Sequence, residues 1–438
     1  MLITIALQNL IAYSVNMADN IMLGSYDQNA LSGAAIVNQI FFMVQQFAIS
    51  VGNTFVALAA QYWGQRRTGP IRTLAGTALK LGIIVGVILV ILCQTIPVSI
   101  LRIFTSDADI IEQARAYLIP VSWSFLLFII TQTLMAVLRA VETVRISFYV
   151  SVVSLVVNVV INYLLIFGKL GCPEMGIVGA AIGTLIARAV ELLIVIIYIL
   201  RCDKKLGLFT RELLKRDALL SRDFRKVYFP IMCASVLWGV SVPMQTAILG
   251  HLSENAIAAN SVATTFYQYL KVIVVAMSST SAVMIGTAIG RGDMARIKSD
   301  ARTLSCIDVA IGLILGIALV LLRGPLLSLY DLNNEAIDMA SNLIAIMGIV
   351  MVGMSYQMPV SFGLIQGGGD GEFTMKMNLI STWCIVMPLS FAAAFWWKLP
   401  VEWVVVVIQS DQIFKCLPTF LHFRKYKWMK KLTRAESK

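Results

Sequence analysis

The chain has 438 residues, of which 58% are hydrophobic and 13% charged, with a net charge of +11. Water-soluble domains carry roughly 25% charge, so this composition excludes ordinary globular folds and points to the bilayer as solvent. The excess of base would suit nucleic acid or lipid headgroups, and its placement decides between them.

A helix crossing about 30 Å of hydrocarbon needs ~20 mostly apolar residues. About twelve such stretches occur, near residues 2–24, 30–62, 72–103, 110–138, 146–168, 176–200, 227–250, 256–289, 299–329, 335–365, 374–396 and 400–423. Runs such as Leu81–Cys93 and Leu192–Leu200 are apolar on every side, unlike the alternating strands of a β-barrel. The expected fold is an all-α membrane protein with twelve transmembrane helices in two pseudo-symmetric six-helix bundles. Met1 leads directly into the first stretch, without a basic n-region or a small-residue cleavage site, so that stretch is expected to be a span and not a signal peptide.

The basic residues lie in alternate loops: Arg66, Arg67 and Arg72; Arg139 and Arg145; nine residues between Arg201 and Lys226; Arg291, Arg296 and Lys298; and the tail from Arg424 to Lys438. The opposite loops read Ser25-Tyr26-Asp27-Gln28, Ser106-Asp107-Ala108-Asp109 and Asp331-Leu332-Asn333-Asn334-Glu335. This asymmetry puts both termini in the cytoplasm of a plasma-membrane protein and assigns the charge to topology and anionic lipid, not to nucleic acid. The seven cysteines are scattered and form no Cys-x-x-Cys, which speaks against a zinc site or redox pair.

The halves repeat. Ile21-Met22-Leu23-Gly24 corresponds to Ala247-Ile248-Leu249-Gly250, and Asn29-Ala30-Leu31 to Asn255-Ala256-Ile257, at a shift of 226 residues (24 to 250). Gly64 then matches Gly290, Ile71-Arg72 matches Ile297-Lys298, and Phe104 matches Tyr330. A shift of six spans preserves orientation, giving parallel repeats that rock about a central cleft. The expected division is an N-lobe of residues 1–200, a cytoplasmic linker of 201–226, a C-lobe of 227–424 and a basic tail of 425–438. The linker has an amphipathic helix through Leu213, Leu214, Leu219 and Leu220 as its expected element.

A carboxylate at membrane depth is costly, about 2.5–3.5 kcal/mol on insertion scales, which makes each one a functional candidate. Gln8, Ala12 and Asp19 share a narrow stripe of span one, with Asn16 about 60° away. Asp19 is either a cation or proton ligand or an interfacial group near the end of its span. Asn158 and Asn162, spaced i and i+4, project from one face; their amide oxygens suit Na⁺, and interhelical hydrogen bonding is the other reading. Thr184 adds a hydroxyl among small residues that equally suit close packing. Lys271 and Asp411 are cleft candidates, against snorkelling for the lysine and an interfacial place or pairing with a base for the aspartate.

With these residues in hand, the chain resembles the multidrug and toxic compound extrusion transporters, within the larger flippase and polysaccharide-exporter fold group. The resemblance runs nearly end to end. It rests on Asn16-Met17-Ala18-Asp19-Asn20-Ile21-Met22-Leu23-Gly24, on Ala57 to Gly64, on Leu138-Arg139-Ala140, on Asn158-x-x-x-Asn162-Tyr163-Leu164-Leu165-Ile166-Phe167-Gly168, on Gly176 to Thr184, and on the second copy near Gly250.

The resemblance implies an antiporter that exports organic cations, drugs or other amphipathic compounds against entering Na⁺ or H⁺ by alternating access, with no other cofactor. It implies a cation site of Asp19, Asn158, Asn162 and Thr184, with Asn16, Lys271 and Asp411 as cavity candidates. Many members carry aspartate at the place of Asn162; an amide binds Na⁺ but carries no proton, which tilts the coupling ion towards Na⁺. The second-half acids of other members are replaced here, by Trp238 eight residues after Pro230 and by a residue near Ser355. The expected partners are a small amphipathic or cationic molecule and membrane lipid, and the expected state is a monomer. The alternative is a lipid-linked oligosaccharide flippase of the same fold group, for which Lys271 is the only clearly central base. A membrane enzyme would need clustered ligands or a nucleophile with its base, but His251 and His422 stand far apart, so the chain is not expected to be an enzyme.

Overall fold

The computed structural model describes residues 1–203, 205–215, 217–250, 254–292, 294–328 and 334–434. His251 and the acidic loop residues Asp331, Leu332 and Asn333 lie outside that set. Twelve long helices follow one another: α1 Leu2–Tyr26, α2 Gln28–Gly64, α3 Thr68–Thr95, α4 Ala108–Ala140, α5 Arg145–Phe167, α6 Gly176–Arg201, α7 Ala218–Gly250, α8 Glu254–Arg291, α9 Met294–Leu321, α10 Ala336–Ile365, α11 Gly371–Trp396 and α12 Val401–Arg424. Eleven are long and apolar enough to cross a membrane. The other, α1, matches them in length but not in hydropathy, because Gln8, Asn9, Asn16, Asp19 and Asn20 interrupt it.

The apolar exterior reads as a lipid contact. Ile84, Ile88 and Ile91 on α3 are each more than half exposed, as are Ile314, Ile317 and Leu321 on α9. Trp396, Trp397 and Trp403 are exposed at helix ends, where amphipathic rings suit the headgroup level. The polar groups are turned inward, among them Asp19, Asn158, Asn162, Glu191, Asp308 and Asp411. Ionisable groups buried inside largely apolar clusters, beneath an apolar exterior, suit lipid as the solvent.

Local chemistry sets the helix ends. Asp107 caps α4 by accepting from the backbone N–H of Asp109 at 2.9 Å and Ile110 at 3.2 Å. Gly168 ends α5 at φ 62°, a left-handed conformation that glycine adopts without strain. The third expected stretch breaks at Ile96, and Pro97 starts a separate turn, Pro97–Leu101. The second half repeats this break as Arg323–Leu327. At Pro359 the tenth helix passes into π-turns.

The linker corrects one expectation. Arg211–Leu214 is a single turn that ends where the backbone extends at Lys215 (φ −61°, ψ 131°). Leu219 and Leu220 instead open α7, where Asp217 Oδ1 accepts from their N–H groups at 2.9 and 3.0 Å. A capping aspartate between the two leucine pairs starts a new helix and does not continue an old one. Arg72 on α3 ties the linker down, donating to the Leu206 carbonyl at 2.8 Å and to Glu212 at 2.8 Å.

The chain divides into two compact units, one of Ile3–Ala59 and Arg66–Tyr228 with Met1, the other of Ala60–Gln65 and Phe229–Lys438 with Leu2. In the first, α3 and α6 pack on α4, and α5 packs along α6. In the second, α8, α9 and α12 pack on α10. The second unit also holds residues beyond Arg424. Trp428 is fully buried, stacks on Phe423 and donates Nε1–H to the Phe423 carbonyl at 3.0 Å. Gln61 clamps this segment, donating to the Lys430 carbonyl at 3.0 Å and accepting from the Leu432 N–H at 2.8 Å. Asp370 adds a polar anchor, with Lys430 Nζ and His422 Nε2 both at 2.9 Å. Burial raises the proton affinity of Asp370, but the hydrogen bonds from Lys430 and His422 outweigh it and hold the carboxyl below the ordinary carboxylate range.

Candidate functional site

Three helices of the first unit bring four of the sequence candidates together. On α1, Ile5, Gln8, Asp19 and Leu23 are the buried positions, so the polar stripe faces inward. On α5, Ser154, Asn158, Asn162 and Ile166 form the buried stripe at helical spacing. Asn162 Nδ2 donates to Asp19 Oδ1 at 2.6 Å and lies 3.4 Å from Asn158 Oδ1. Asn158 Nδ2 reaches Thr184 Oγ1 on α6 at 3.4 Å.

Glycines on α6 make this approach possible. A Cβ added at Gly179 would come within 2.6 Å of the Leu165 carbonyl oxygen, and one at Gly183 would land on Asn162 Oδ1. That Asn162 oxygen is buried and has no hydrogen-bond partner. An unpartnered amide oxygen beside a buried carboxylate, with a second amide and a hydroxyl within reach, is a set of hard oxygen donors suited to a small cation. Among the described residues no group of three or more His, Cys, Asp and Glu side chains is placed to hold a metal.

The cluster opens onto a pocket within the same unit, lined by Asn16, Asp19, Asn38, Tyr117, Thr184 and Arg188 with apolar and aromatic walls that include Phe41 and Phe125. Arg188 and Glu191 went unread in the sequence. Arg188 NH1 bonds Glu191 Oε2 at 2.7 Å, and its guanidinium sits 4.9 Å from the centroid of the Phe128 ring. Glu191 is 4% exposed. The available signal was an i,i+3 pair of opposite charges in an otherwise apolar helix.

Lys271 and Asp411 lie in the second unit. Lys271 Nζ lies over the Trp238 ring, 4.7 Å from its centroid, a cation–π contact. Asp411 is bonded on all sides: Lys415 Nζ donates to Oδ2 at 2.7 Å, and the Ser381 and Thr382 hydroxyls reach Oδ1 at 2.7 and 3.2 Å. Lys415 also donates to Asn378 Oδ1 at 2.7 Å. Asp411 thus has the pairing with a base that the sequence left open for it, in a buried and compensated ion pair.

A model of the MatE family matches residues 4–164 and 230–392, one segment in each half. The chain belongs to the MatE family. It is 26% identical to the "Probable multidrug resistance protein NorM" of Thermotoga maritima, over 98% of this chain and 93% of that one. It is 23% identical to the "Probable multidrug resistance protein YoeA" of Bacillus subtilis, over 85% and 81%. A solved "Outward-facing conformation of a multidrug resistance MATE family transporter of the MOP superfamily" shares the fold, with a TM-score of 0.87 at 18% identity over 97% of this chain and 94% of that one. Membership of the family and eleven apolar helices among the described residues make this MatE-family chain an integral membrane protein.

Proposed function

We propose that the chain is a cation-coupled antiporter that exports organic cations, drugs or other amphipathic compounds by alternating access, and that it works as a transporter and not as an enzyme. The observation that carries the reading is the buried Asp19–Asn162 pair, whose free amide oxygen and neighbouring Asn158 and Thr184 form an oxygen-lined site open to a pocket. Relatives named as multidrug resistance proteins support it and do not favour the flippase alternative.

The proposed mechanism is competition. A cation at Asp19 favours one packing of the first half, drug in the pocket favours another, and neither shifts the equilibrium beyond its differential affinity for the two states. Na⁺ or H⁺ is the coupling ion, and the Asn162 amide favours Na⁺ because it coordinates without carrying a proton. The basic loops support a plasma-membrane location with both termini cytoplasmic, and the chain is proposed to act as a monomer.

The test is efflux of a fluorescent cationic dye from proteoliposomes under separate Na⁺ and H⁺ gradients. Flux that follows one gradient and vanishes in Asp19→Asn supports the reading and names the ion. Flux that is unchanged in Asp19→Asn overturns the site, and no flux under either gradient in folded protein overturns the export of such compounds.

A further inference from the structure

The seam between α9 and α10 holds a second set of buried polar groups, and the internal repeat shows what they replace. In the first unit, a Cβ added at Gly82 on α3 would lie 3.0 Å from Ile129 Cγ2, and one at Gly86 would lie 2.8 Å from Leu126 Cδ1, both partners on α4. The 226-residue shift carries Gly82 to Asp308, Gly86 to Gly312, Leu126 to Val352 and Ile129 to Ser355. The register holds in three dimensions, because a Cβ added at Gly312 would lie 2.5 Å from Ser355 Cβ and 3.3 Å from Val352 Cα. Asp308 stands one turn from that contact on the same helical stripe. The first-half seam holds a hydroxyl, Thr133 Oγ1, 3.4 Å from a Cβ added at Gly82 and satisfied by the Ile129 carbonyl, whereas the second-half seam gains a carboxylate.

Three polar atoms of this seam have no hydrogen-bond partner among the described residues. Asp308 is 2% exposed near the middle of a 28-residue apolar helix, and its Oδ2 accepts no hydrogen bond. Ser355 Oγ and Tyr356 Oη, on the facing helix, are also buried without partners. Pro359 has no N–H, so the Ser355 carbonyl has no α-helical donor four residues on, and the helix passes into π-turns at that proline. Among the described residues no charged side chain compensates Asp308. Its titratable neighbour is Tyr356, which in turn lies near Cys416 on α12; the Cys416 thiol is taken up by the Gly353 and Gln412 carbonyls at 3.3 and 3.2 Å. A carboxylate so placed is neutral or takes up a cation.

We propose that Asp308, Ser355 and Tyr356 form a second monovalent-cation site, in the second half of the chain, where a proton or Na⁺ neutralises the Asp308 carboxylate. The carboxylate, the two hydroxyls and the Ser355 carbonyl supply hard oxygen donors. A coupling role for this site rests on the transport reading above, whereas the binding itself does not.

The experiment is reaction of the purified full-length chain with dicyclohexylcarbodiimide, which adds to protonated carboxyl groups in apolar surroundings, followed by peptide mass mapping. The expected adduct is on the peptide holding Asp308, absent in Asp308→Asn, and it has two supporting forms. For a proton site it falls by about tenfold per pH unit above the apparent pKa and ignores Na⁺. For a Na⁺ site it falls on adding Na⁺ at constant pH. An adduct insensitive to both overturns the proposal, since Asp308 is then permanently neutral. Thermal unfolding decides independently if the reagent does not reach the seam: Asp19→Asn should retain a dependence on pH or Na⁺ that Asp19→Asn/Asp308→Asn loses, and equal behaviour of the two overturns the proposal. These readouts need no flux, so a chain that labels as expected yet exports no dye would sink the transport reading and leave the site standing.

Discussion

Asn162 Nδ2 donates to Asp19 Oδ1 at 2.6 Å across two helices, 143 residues apart in sequence. The amide donates one N–H hydrogen bond to the carboxylate and turns its oxygen to the α6 face at Gly183. Asn162→Asp would set two carboxyl groups at hydrogen-bond distance, where both cannot ionise together. Ion-dependent efflux in that variant should acquire a steeper pH dependence, measured as dye flux across a pH series at fixed Na⁺. An unchanged profile would make Asn162 a packing residue.

Gly183 gives a sharper test of the same geometry, because it lines nothing itself. A methyl there lands on Asn162 Oδ1, so Gly183→Ala must push the amide out of place or part α5 from α6. The expected outcome is at least about a tenfold loss of apparent Na⁺ affinity, equivalent to roughly 1.4 kcal/mol, in a chain that still inserts and folds. Sodium titration of dye efflux measures it.

The Asp411–Lys415 pair should behave as structure. Removing one partner of a buried pair costs about 3–5 kcal/mol, whereas replacing both with apolar groups is often near neutral. Lys415→Met should therefore lower the melting temperature in detergent more than Lys415→Met/Asp411→Leu does. If the double variant keeps its fold but loses all efflux, Asp411 belongs to the transport path.

Trp428 tests the packing of the terminal segment. Truncating a fully buried aromatic costs about 3–5 kcal/mol, and Trp428→Ala should expose the basic residues from Lys425 to Lys431 to trypsin. Full-length protection in that variant would contradict the burial found here.

Acid should release the same segment. Asp370 is held below its ordinary range, so its contribution is present above the unfolded carboxylate pKa, near about 4, and is lost as pH falls through the lower folded value. Cleavage after Lys427 should rise below about pH 4 in the wild type, read with an acid-tolerant protease. Asp370→Asn should show the raised cleavage at neutral pH already.

The spans, the repeat and the Asp19 cluster were legible because each leaves a local signature: twenty-residue hydropathy, a constant shift, and amides at i and i+4. Asp308 and Asp411 show where that legibility ends. Each is a buried acid within a largely apolar stretch of helix, and their difference lies in what faces them. Lys415, one turn after Asp411, was a readable hint of pairing, but the contacts to Ser381 and Thr382 come from another helix. Asp308 meets a seam whose polarity depends on Ser355 and Tyr356, 47 and 48 residues on. The terminal segment was hidden differently: its lysines and arginines read only as a basic tail, and the packing of Trp428 among them left no periodic signal.

Gln61 and Tyr62 are made early in synthesis, yet their partners are Lys430, Leu432 and Arg434, more than 360 residues later. Contacts so distant in sequence form last and slowly, because the loop between them must close first. Helices can enter the membrane one by one during translation, but the second unit completes this packing only after Lys430 to Arg434 have been made. Until then the Gln61 side-chain amide waits without these partners, and this is the stage at which a chaperone or protease would meet the nascent protein.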